Sequence, residues 1–344
     1  MAPPLKVVVI GAGVAGLTAA RALKVEGLQV SVYEKMDRLG GIWVYDPRVE
    51  SDPLGLDPDR EVVHGSLYSS LRTNNPRLLM GILDYPFGSR KNGDSRIFPG
   101  HEEMLIFLNE FAEEFGLVEL IRFNTEVIRV ERVGSRNDEW VVGSRTGQSE
   151  SEAVFDAVVI NYVDENGMVS FEDGARLHAD IILHCTGYNY HFPFLRTEGM
   201  VSVDDNRVGP LYKHVFPPKL APNLAFVGLT YRGAVSLVID LQAKWVAKVI
   251  SGKSGLPSQE EMLADVERHY QDMEEKGIPK HYTHSLRKEV SYEYMDWLAH
   301  QAGTPEVDDE TKLKCKSYFN FVADKGVWRA REWEPTKGLQ PQNC

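Results

Sequence analysis

Three glycines near the N-terminus are spaced for close contact with a phosphate group. They lie in the stretch Gly11-Ala12-Gly13-Val14-Ala15-Gly16, which follows a β-branched run and opens a helical pattern. In this context the first glycine allows a tight turn, the second lets the backbone approach a pyrophosphate, and the third lets the helix pack on the strand. Free N–H groups at the start of the helix favour an anion. The pattern therefore predicts a dinucleotide site.

An acidic residue, Glu34, ends the next strand-like run, where a carboxylate accepts hydrogen bonds from ribose hydroxyls. It also repels a 2′-phosphate, so FAD or NAD is favoured over NADP. The alternatives are a glycine-rich turn without a ligand and, for Glu34, an ordinary solvated strand end. The run Leu39-Gly40-Gly41-Ile42-Trp43 follows at once, where flavoproteins place a glycine pair that passes close to the cofactor. This run favours FAD.

The elements that must position these residues begin with a βαβ unit, with strands at 6–10 and 30–34 and a helix at 17–25. Further strands are predicted at 125–132, 139–143, 155–160, 180–184 and 224–228, helices at 102–115, at 237–251 and beyond 257, and a loop at 46–59. Segments 125–132 and 139–143 are expected to form a hairpin. The short apolar runs suit a parallel sheet that is buried on both faces.

Composition narrows the class of protein. The chain has 344 residues, 43% of them hydrophobic, and a net charge of -12, which argues against a nucleic-acid partner. Cys185, Cys315 and Cys344 are too few and too scattered for a disulfide framework or a zinc site, and we expect no metal. Without a secretory pattern or a long apolar run, the expected protein is cytoplasmic and has no membrane segment.

Two side-chain groups favour structural roles. His281 and His284 could line a pocket, but surface or packing roles are favoured. Tyr294, Trp297 and Leu298 have helical spacing and predict a buried stripe.

Several stretches in combination resemble the flavin-containing monooxygenases. They are the glycine fingerprint, the Leu39 to Trp43 run, Leu71-Arg72-Thr73-Asn74, Cys185-Thr186-Gly187-Tyr188, Asn223-Leu224-Ala225-Phe226-Val227-Gly228 and Leu241-Gln242-Ala243-Lys244-Trp245-Val246-Ala247. The stretches from His184 to Leu195 and from Gly209 to Pro218 are most similar to the plant S-oxygenase-like branch that oxidises methylthioalkyl glucosinolates. The resemblance covers about residues 6–297.

The resemblance implies an α/β, Rossmann-like FAD-binding fold of the kind that carries two dinucleotide-binding domains. It implies oxygenation by a flavin C4a-(hydro)peroxide, formed after NADPH reduces FAD and oxygen adds. A thioether or an amine would receive one oxygen atom. Asn74 matches the family asparagine beside the flavin ring, and the alternative is an Asx-turn cap before Pro76.

The resemblance also implies a set of FAD contacts. These are Gly11, Gly13, Ala15, Gly16, Glu34, Lys35, Gly41, Ile42, Trp43, Thr73, Asn74, Val127, Thr186, Gly187, Gly228 and Gln242. Val127 ranks lowest, because a valine in a strand is a core residue by default.

The chain departs from the family at the second dinucleotide site. No glycines after Gly16 repeat the fingerprint spacing, and the Phe-x-Gly-x-x-x-His motif is missing. On the order of a hundred residues, one small domain, are expected to be absent after residue 160. The predicted organisation is an FAD-binding domain at 1–160 and 180–252, a short linker or hairpin at 161–179 in place of the NADPH domain, and a helical segment with a tail at 253–344.

Three functions remain open from the sequence. The first is an FAD-dependent oxygenase for a small soft nucleophile, with NADPH use impaired or non-standard. The second is an oxidase or dehydrogenase that takes hydride directly from its substrate, and the third is an inactive FAD-binding paralogue. The expected partners are a small-molecule substrate and O2, with a reductase partner or a second copy of the chain left open.

Overall fold

The computed structural model of the protein describes residues 3–51, 65, 67–88, 93–133, 139–160, 189–286 and 288–323. The strands are β1 (Lys6–Ile10), β2 (Gln29–Tyr33), β3 (Ile121–Arg122), β4 (Thr125–Val133), β5 (Glu139–Thr146), β6 (Ser149–Phe155), β7 (Ala157–Ile160), β8 (Leu195–Arg196), β9 (Ser202–Asp204), β10 (Arg207–Gly209) and β11 (Leu224–Phe226). The α-helices are α1 (Val14–Val25), α2 (Arg48–Ser51), α3 (His101–Glu114), α4 (Val235–Ile250), α5 (Gln259–Glu275), α6 (Lys288–Ala302) and α7 (Asp309–Ala323). Short 3-10 turns lie at Gly41–Trp43, Arg77–Leu79, Val118–Leu120 and Lys280–Tyr282.

A parallel sheet with the strand order β11-β7-β1-β2-β3 forms the centre of the fold. The β-branched residues Val7, Val8 and Val9 of β1 are fully buried, as the apolar run predicted. After β1 the chain first builds β2 on one side and later adds β7 on the other, so the strand order reverses at β1. Ligands of open α/β sheets bind outside the carboxyl ends of the strands at such a point.

The two faces of this sheet belong to different cores, because successive side chains of a strand point to opposite faces. Val7 and Val159 pack with α1 and α4, whereas Val8 and Val158 pack with Trp140 of the antiparallel sheet β6-β5-β4-β8. The central strands therefore lie between a helical layer and a second sheet, and their carboxyl ends remain at one edge.

The C-terminal helices extend the helical layer. Trp297 of α6 lies edge-on to Trp245 of α4, with 4.9 Å between the ring centroids. Tyr294 and Leu298 are buried and Trp297 packs against the same core, so the predicted stripe is confirmed. Helix α5 begins with a capping box in which Ser258 and Glu261 bond each other's backbone N–H. None of the helices in the described ranges is both long and apolar enough to cross a membrane.

The strand prediction needs one correction. Residues 155–160 are not one strand: Phe155 ends β6, Asp156 accepts a 2.6 Å hydrogen bond from the Lys6 N–H, and β7 begins at Ala157. Most β6 side chains are exposed and polar, which is why the sequence did not reveal that the hairpin has a third strand. The hairpin itself, β4 with β5, is confirmed.

The predicted loop at 46–59 also contains structure. Its described part holds the four-residue helix α2, because the Asp46 carboxylate accepts the Arg48 N–H at 2.9 Å and so caps the turn. The remaining loop residues, 52–59, and the predicted strand at 180–184 lie outside the described residues.

Candidate functional site

The turn between β1 and α1 presents backbone rather than side chains. Gly11 has a φ of 95°, a left-handed value that favours glycine, and its N–H donates to the Tyr33 carbonyl at 2.8 Å. Gly13 caps α1 without a side-chain hydrogen bond, and no acidic residue lies in the first helical turn. The leading N–H groups of α1 therefore have no intrahelical acceptor and suit a phosphate.

Glu34 is fixed against this turn. Its side chain is buried, one carboxylate oxygen accepts the Ala12 N–H at 2.7 Å, and the other accepts the Met36 N–H at 2.8 Å. A carboxylate has about four acceptor positions, so both oxygens can still receive hydroxyl donors. The half-buried Lys35 follows directly. The alternative of a solvated strand end does not fit a buried, doubly bonded carboxylate.

The glycine pair after β2 returns to the same turn. Gly40 donates its N–H to the Ala12 carbonyl at 3.0 Å, and Gly41 has a φ of 56°. A Cβ on Gly41 would lie 3.0 Å from the Gly13 Cα, which is tighter than ordinary contact. Ile42 is exposed and Trp43 half-buried. The two glycine stretches thus cross without room for a side chain.

The carboxyl end of β11 approaches the helix from the other side. Gly228 has a φ of 88°, and a Cβ there would lie 2.9 Å from the Ala15 Cβ. The Gly228 N–H donates to the Oε1 of the fully buried Gln242 at 3.0 Å. Thr230, two residues later, has a buried hydroxyl with no hydrogen-bond partner among the described residues. This edge holds an orphaned polar group that a bound ligand can satisfy.

Gln242 uses both ends of its amide. Its Nε2 donates to the Tyr294 hydroxyl at 2.9 Å, and that hydroxyl donates to the Lys213 carbonyl at 2.7 Å. Burial raises the pKa of Tyr294, so the hydroxyl keeps its proton and its donor role. The chain of bonds links α6 to the Gly228 turn. Sequence analysis assigned Tyr294 only a packing role, because its helical spacing gives no indication of the hydroxyl's partners.

A loop that carries Asn74 is held by the segment before α3. The buried Thr73 donates its N–H to the Pro99 carbonyl at 2.9 Å, and its hydroxyl donates to the Asn75 carbonyl at 2.9 Å. Asn74 itself is exposed, and its backbone carbonyl accepts a hydrogen bond from the Tyr318 hydroxyl. Tyr318 was not singled out in the sequence, since it lies 244 positions away.

Of the remaining predicted FAD contacts, Val127 lies in the described residues and two others do not. Val127 lies half-buried on β4, next to a register shift between Val127 and Arg129, and packs against the antiparallel-sheet core. The contact of Val127 with FAD stays a prediction. Thr186 and Gly187 lie outside the described residues.

The described geometry fits FAD. The uncapped start of α1 suits the pyrophosphate, the Glu34 carboxylate suits a ribose, and the crossing glycines and orphaned Thr230 hydroxyl suit the rest of a long cofactor at one sheet edge.

Comparison with known proteins decides the family. The model of a family described as flavin-binding monooxygenase-like matches residues 5–162 and 160–309. This chain belongs to the flavin-binding monooxygenase-like family. It is accordingly a monooxygenase-like flavoprotein oxidoreductase with FAD as its cofactor, as the fingerprint predicted.

Individual relatives agree with this family. The chain is 40% identical to flavin-containing monooxygenase FMO GS-OX-like 2 of Arabidopsis thaliana, over 94% of this chain and 89% of the relative. It is also 40% identical to FMO GS-OX4 of the same plant, over 95% and 91%. Among solved structures, S-allyl-L-cysteine S-oxygenase from Allium sativum has a TM-score of 0.87 and 35% identity, with 96% of each chain covered. Tmm from Pelagibacter, at 20% identity and a TM-score of 0.75, shares the fold.

The same comparisons locate what this family member lacks. The two family-model matches meet at residues 160–162, where the missing domain was predicted. The alignment with the GS-OX-like 2 relative spans 418 residues, although this chain has only 344. The chain is therefore shorter than its full-length relatives, which is consistent with a missing domain at this place.

A buried histidine group lies behind the Gln242 and Tyr294 chain. His284 Nδ1 lies 3.3 Å from His214 Nδ1, and His284 Nε2 accepts the Val208 N–H at 3.2 Å. The His269 ring packs edge-on to His214, with 5.4 Å between centroids. His281 is only half-buried, and its Nδ1 lies 3.2 Å from the Asp205 carboxylate. Within the described residues no group of three or more potential ligands can hold a metal ion. His284 is buried, in agreement with the packing role that the sequence favoured.

These histidines predict that acid destabilises the protein. Burial lowers the pKa of His284 to about 4, and burial also lowers the pKa values of His214 and His269. Because the unfolded chain binds protons below about pH 6.5 while the folded one does not, stability falls as the pH drops from about 6.5 to 4. His284 alone accounts for about 3 kcal/mol of this loss.

The measurement is the free energy of unfolding in urea at a series of pH values. His284→Gln should flatten the loss between pH 6.5 and 4, whereas His300→Gln, an exposed position on α6, should keep the parent slope. Equal slopes in all three proteins would contradict a buried neutral His284.

Proposed function

We propose that this protein transfers one oxygen atom from O2 to a small soft nucleophile, with a thioether as the first choice and an amine as the second. The single observation that carries the proposal is the convergence of the glycine turn, Glu34, the Gly40-Gly41 pair and the Gly228 turn at one sheet edge. The chain's 35% identity to a plant S-oxygenase supports sulfur as the acceptor.

The reaction balances with two electrons. One oxygen atom of O2 forms a bond to sulfur, and the other leaves as water with two electrons and two protons. FAD, when bound and reduced, supplies the electrons and activates O2. The protein residues bind and orient it: the start of α1 holds negative charge, and Glu34 holds hydroxyl groups.

Asn74 is the proposed catalytic residue of this chain. Its loop is held at Thr73, while its own side chain is exposed and makes no hydrogen bond to another residue of the described ranges, so the amide is available to a ligand. An amide can donate to an oxygen atom and accept from another group without a change of charge.

NADPH use is proposed to be impaired. Phosphate groups of a nicotinamide cofactor need a second glycine-rich turn or a group of cations. The proposal is supported by the lack of a second glycine fingerprint after Gly16 and by the shorter length of this chain relative to its alignment with a relative. Electrons then come from weakly held NADPH or from a reductase partner, whereas hydride taken from the substrate itself would belong to the alternative function, an oxidase or dehydrogenase.

The test is turnover of S-allyl-L-cysteine under ¹⁸O2 with the electrons supplied photochemically or by NADPH, followed by mass spectrometry of the sulfoxide. We expect one ¹⁸O atom in the product and faster turnover with photochemical reduction. Asn74→Ala should lower the rate about a hundredfold, the cost of one lost donor to a reacting oxygen. Asn109→Ala, which removes an exposed amide on α3, is the control.

Three results would contradict parts of this proposal. Equal turnover in the parent and Asn74→Ala would remove the role of Asn74. Bleaching of the flavin by substrate alone, without oxygen, would indicate a dehydrogenase or oxidase. A protein that binds FAD but consumes no oxygen with any reductant would be an inactive paralogue.

A further inference from the structure

Backbone hydrogen bonds hold both ends of the Asn74 loop to the segment before α3 and the start of that helix. Thr73 donates its N–H to Pro99, Arg77 donates its N–H to the Ile97 carbonyl at 2.9 Å, and His101 donates its N–H to the Leu71 carbonyl at 3.2 Å. These bonds fix both ends of the loop. They leave the Asn74 carbonyl, at its centre, to a different partner.

That partner is a side chain from the far end of the chain. The Tyr318 hydroxyl on α7 donates to the Asn74 carbonyl. The Tyr318 ring is buried and lies 6.3 Å from the ring of Phe98, whose carbonyl accepts the Arg72 Nε–H at 2.8 Å. Tyr318 therefore contacts both the loop and the segment beneath it.

Helix α7 is held against helix α6. Lys312 lies 2.7 Å from the Asp296 carboxylate of α6, and Cys315 is fully buried between Lys312 and Tyr318 in sequence. Helix α6 also carries Tyr294, which bonds Gln242 of α4. The position of Tyr318 is thus set by the same helical layer that supports the Gly228 turn.

Packing alone does not account for Tyr318. A phenylalanine would fill the same space against Phe98, whereas the hydroxyl reaches a backbone acceptor that the neighbouring segment leaves open. We propose that Tyr318 is a positioning residue that sets the backbone of the Asn74 loop, so that helix α7 completes the oxygenation site. The effect of Tyr318 on oxygenation, as opposed to its effect on the loop backbone, rests on the proposed role of Asn74.

The test is hydrogen–deuterium exchange of the full-length, FAD-loaded protein, followed in peptides that cover residues 71–77. Tyr318→Phe should raise exchange there about fivefold to tenfold, as expected from the loss of one hydrogen bond. Tyr292→Phe is the matched control: its hydroxyl is buried on α6 and has no partner among the described residues, so exchange should stay at the parent level.

A second readout separates this inference from the proposed function. Tyr318→Phe should lower the yield of sulfoxide per electron pair about fivefold, with KM for the thioether unchanged and hydrogen peroxide released instead. Parent-like exchange in 71–77, or an equal rise in both variants across the whole protein, would overturn the positioning role. Raised exchange in 71–77 with an unchanged sulfoxide yield would uphold the positioning role and contradict the role of Asn74.

Discussion

Gly41→Ala should weaken FAD binding about tenfold to a hundredfold. The new Cβ would lie 3.0 Å from the Gly13 Cα, and the atom it meets is backbone, which cannot move aside as a side chain can. Overpacking of this kind costs about 1 to 3 kcal/mol, and each 1.4 kcal/mol is a factor of ten in affinity. The measurement is the dissociation constant for FAD, by titration of the apoprotein and by the flavin content after purification.

Gly147→Ala is the matched control for this substitution. Gly147 has a φ of 59°, close to the 56° of Gly41, but nothing lies within 4 Å of a Cβ placed there. Both variants place an alanine at a similar positive φ. Only the new Cβ of Gly41→Ala comes close to another residue, Gly13 in the turn between β1 and α1. An equal loss of affinity in both would assign the effect to backbone strain, and no loss in either would contradict the crossing of the two glycine stretches.

Gln242→Leu should lower the free energy of unfolding by about 2 kcal/mol and weaken FAD binding as well. The leucine has a similar size, but it leaves the Gly228 N–H without an acceptor and removes the donor to the Tyr294 hydroxyl. An unsatisfied buried group costs about 1 to 3 kcal/mol. Because the Gly228 turn touches Ala15 in the first turn of α1, its displacement reaches the phosphate site. Urea unfolding with and without excess FAD measures both effects.

A pair of tyrosines on α6 tests the same chain of bonds. Tyr294→Phe breaks the link from Gln242 to the Lys213 carbonyl and should lose about 1 kcal/mol or more. Tyr292→Phe removes a hydroxyl that has no partner in the described part of the chain, and it should lose nothing. Equal stability of Gln242→Leu and the parent would show that the buried amide is not needed to hold the turn.

The sequence reveals the parts of this protein that local physics decides. A β-branched run, three glycines and an acidic strand end specify β1, its turn, α1 and Glu34 within about thirty residues, because turn geometry and helix initiation depend on near neighbours. The fingerprint was therefore predictable in type and in place. The fold class followed, and the family model agrees.

Other features depend on contacts that no local pattern encodes. The aromatic spacing of α6 predicted that Tyr294 is buried, but the partners of its hydroxyl are Gln242 and Lys213, which come from distant segments. Tyr318 reaches Asn74 in the same way. Strand β6 was missed because its side chains are polar, so pairing with β5 rather than burial makes it a strand.

The sequence also predicts the absence of a whole domain, because no glycines after Gly16 repeat the fingerprint spacing. In the described residues β7, which ends at Ile160, remains paired with β1 and β11. The predicted domain boundaries stay a prediction. The central proposal is that the absence of this domain impairs the use of NADPH as the electron donor.

The most direct test of that proposal is the visible spectrum of the FAD-loaded protein under nitrogen, before and after NADPH is added. We expect flavin bands that NADPH bleaches far more slowly than photochemical reduction does, because the proposed loss of the NADPH-binding domain leaves the glycine turn and Glu34 to hold FAD. Rapid and complete bleaching by NADPH, in a sample from which unbound FAD has been removed, would contradict impaired NADPH use. A colourless protein after FAD loading would contradict the FAD site itself.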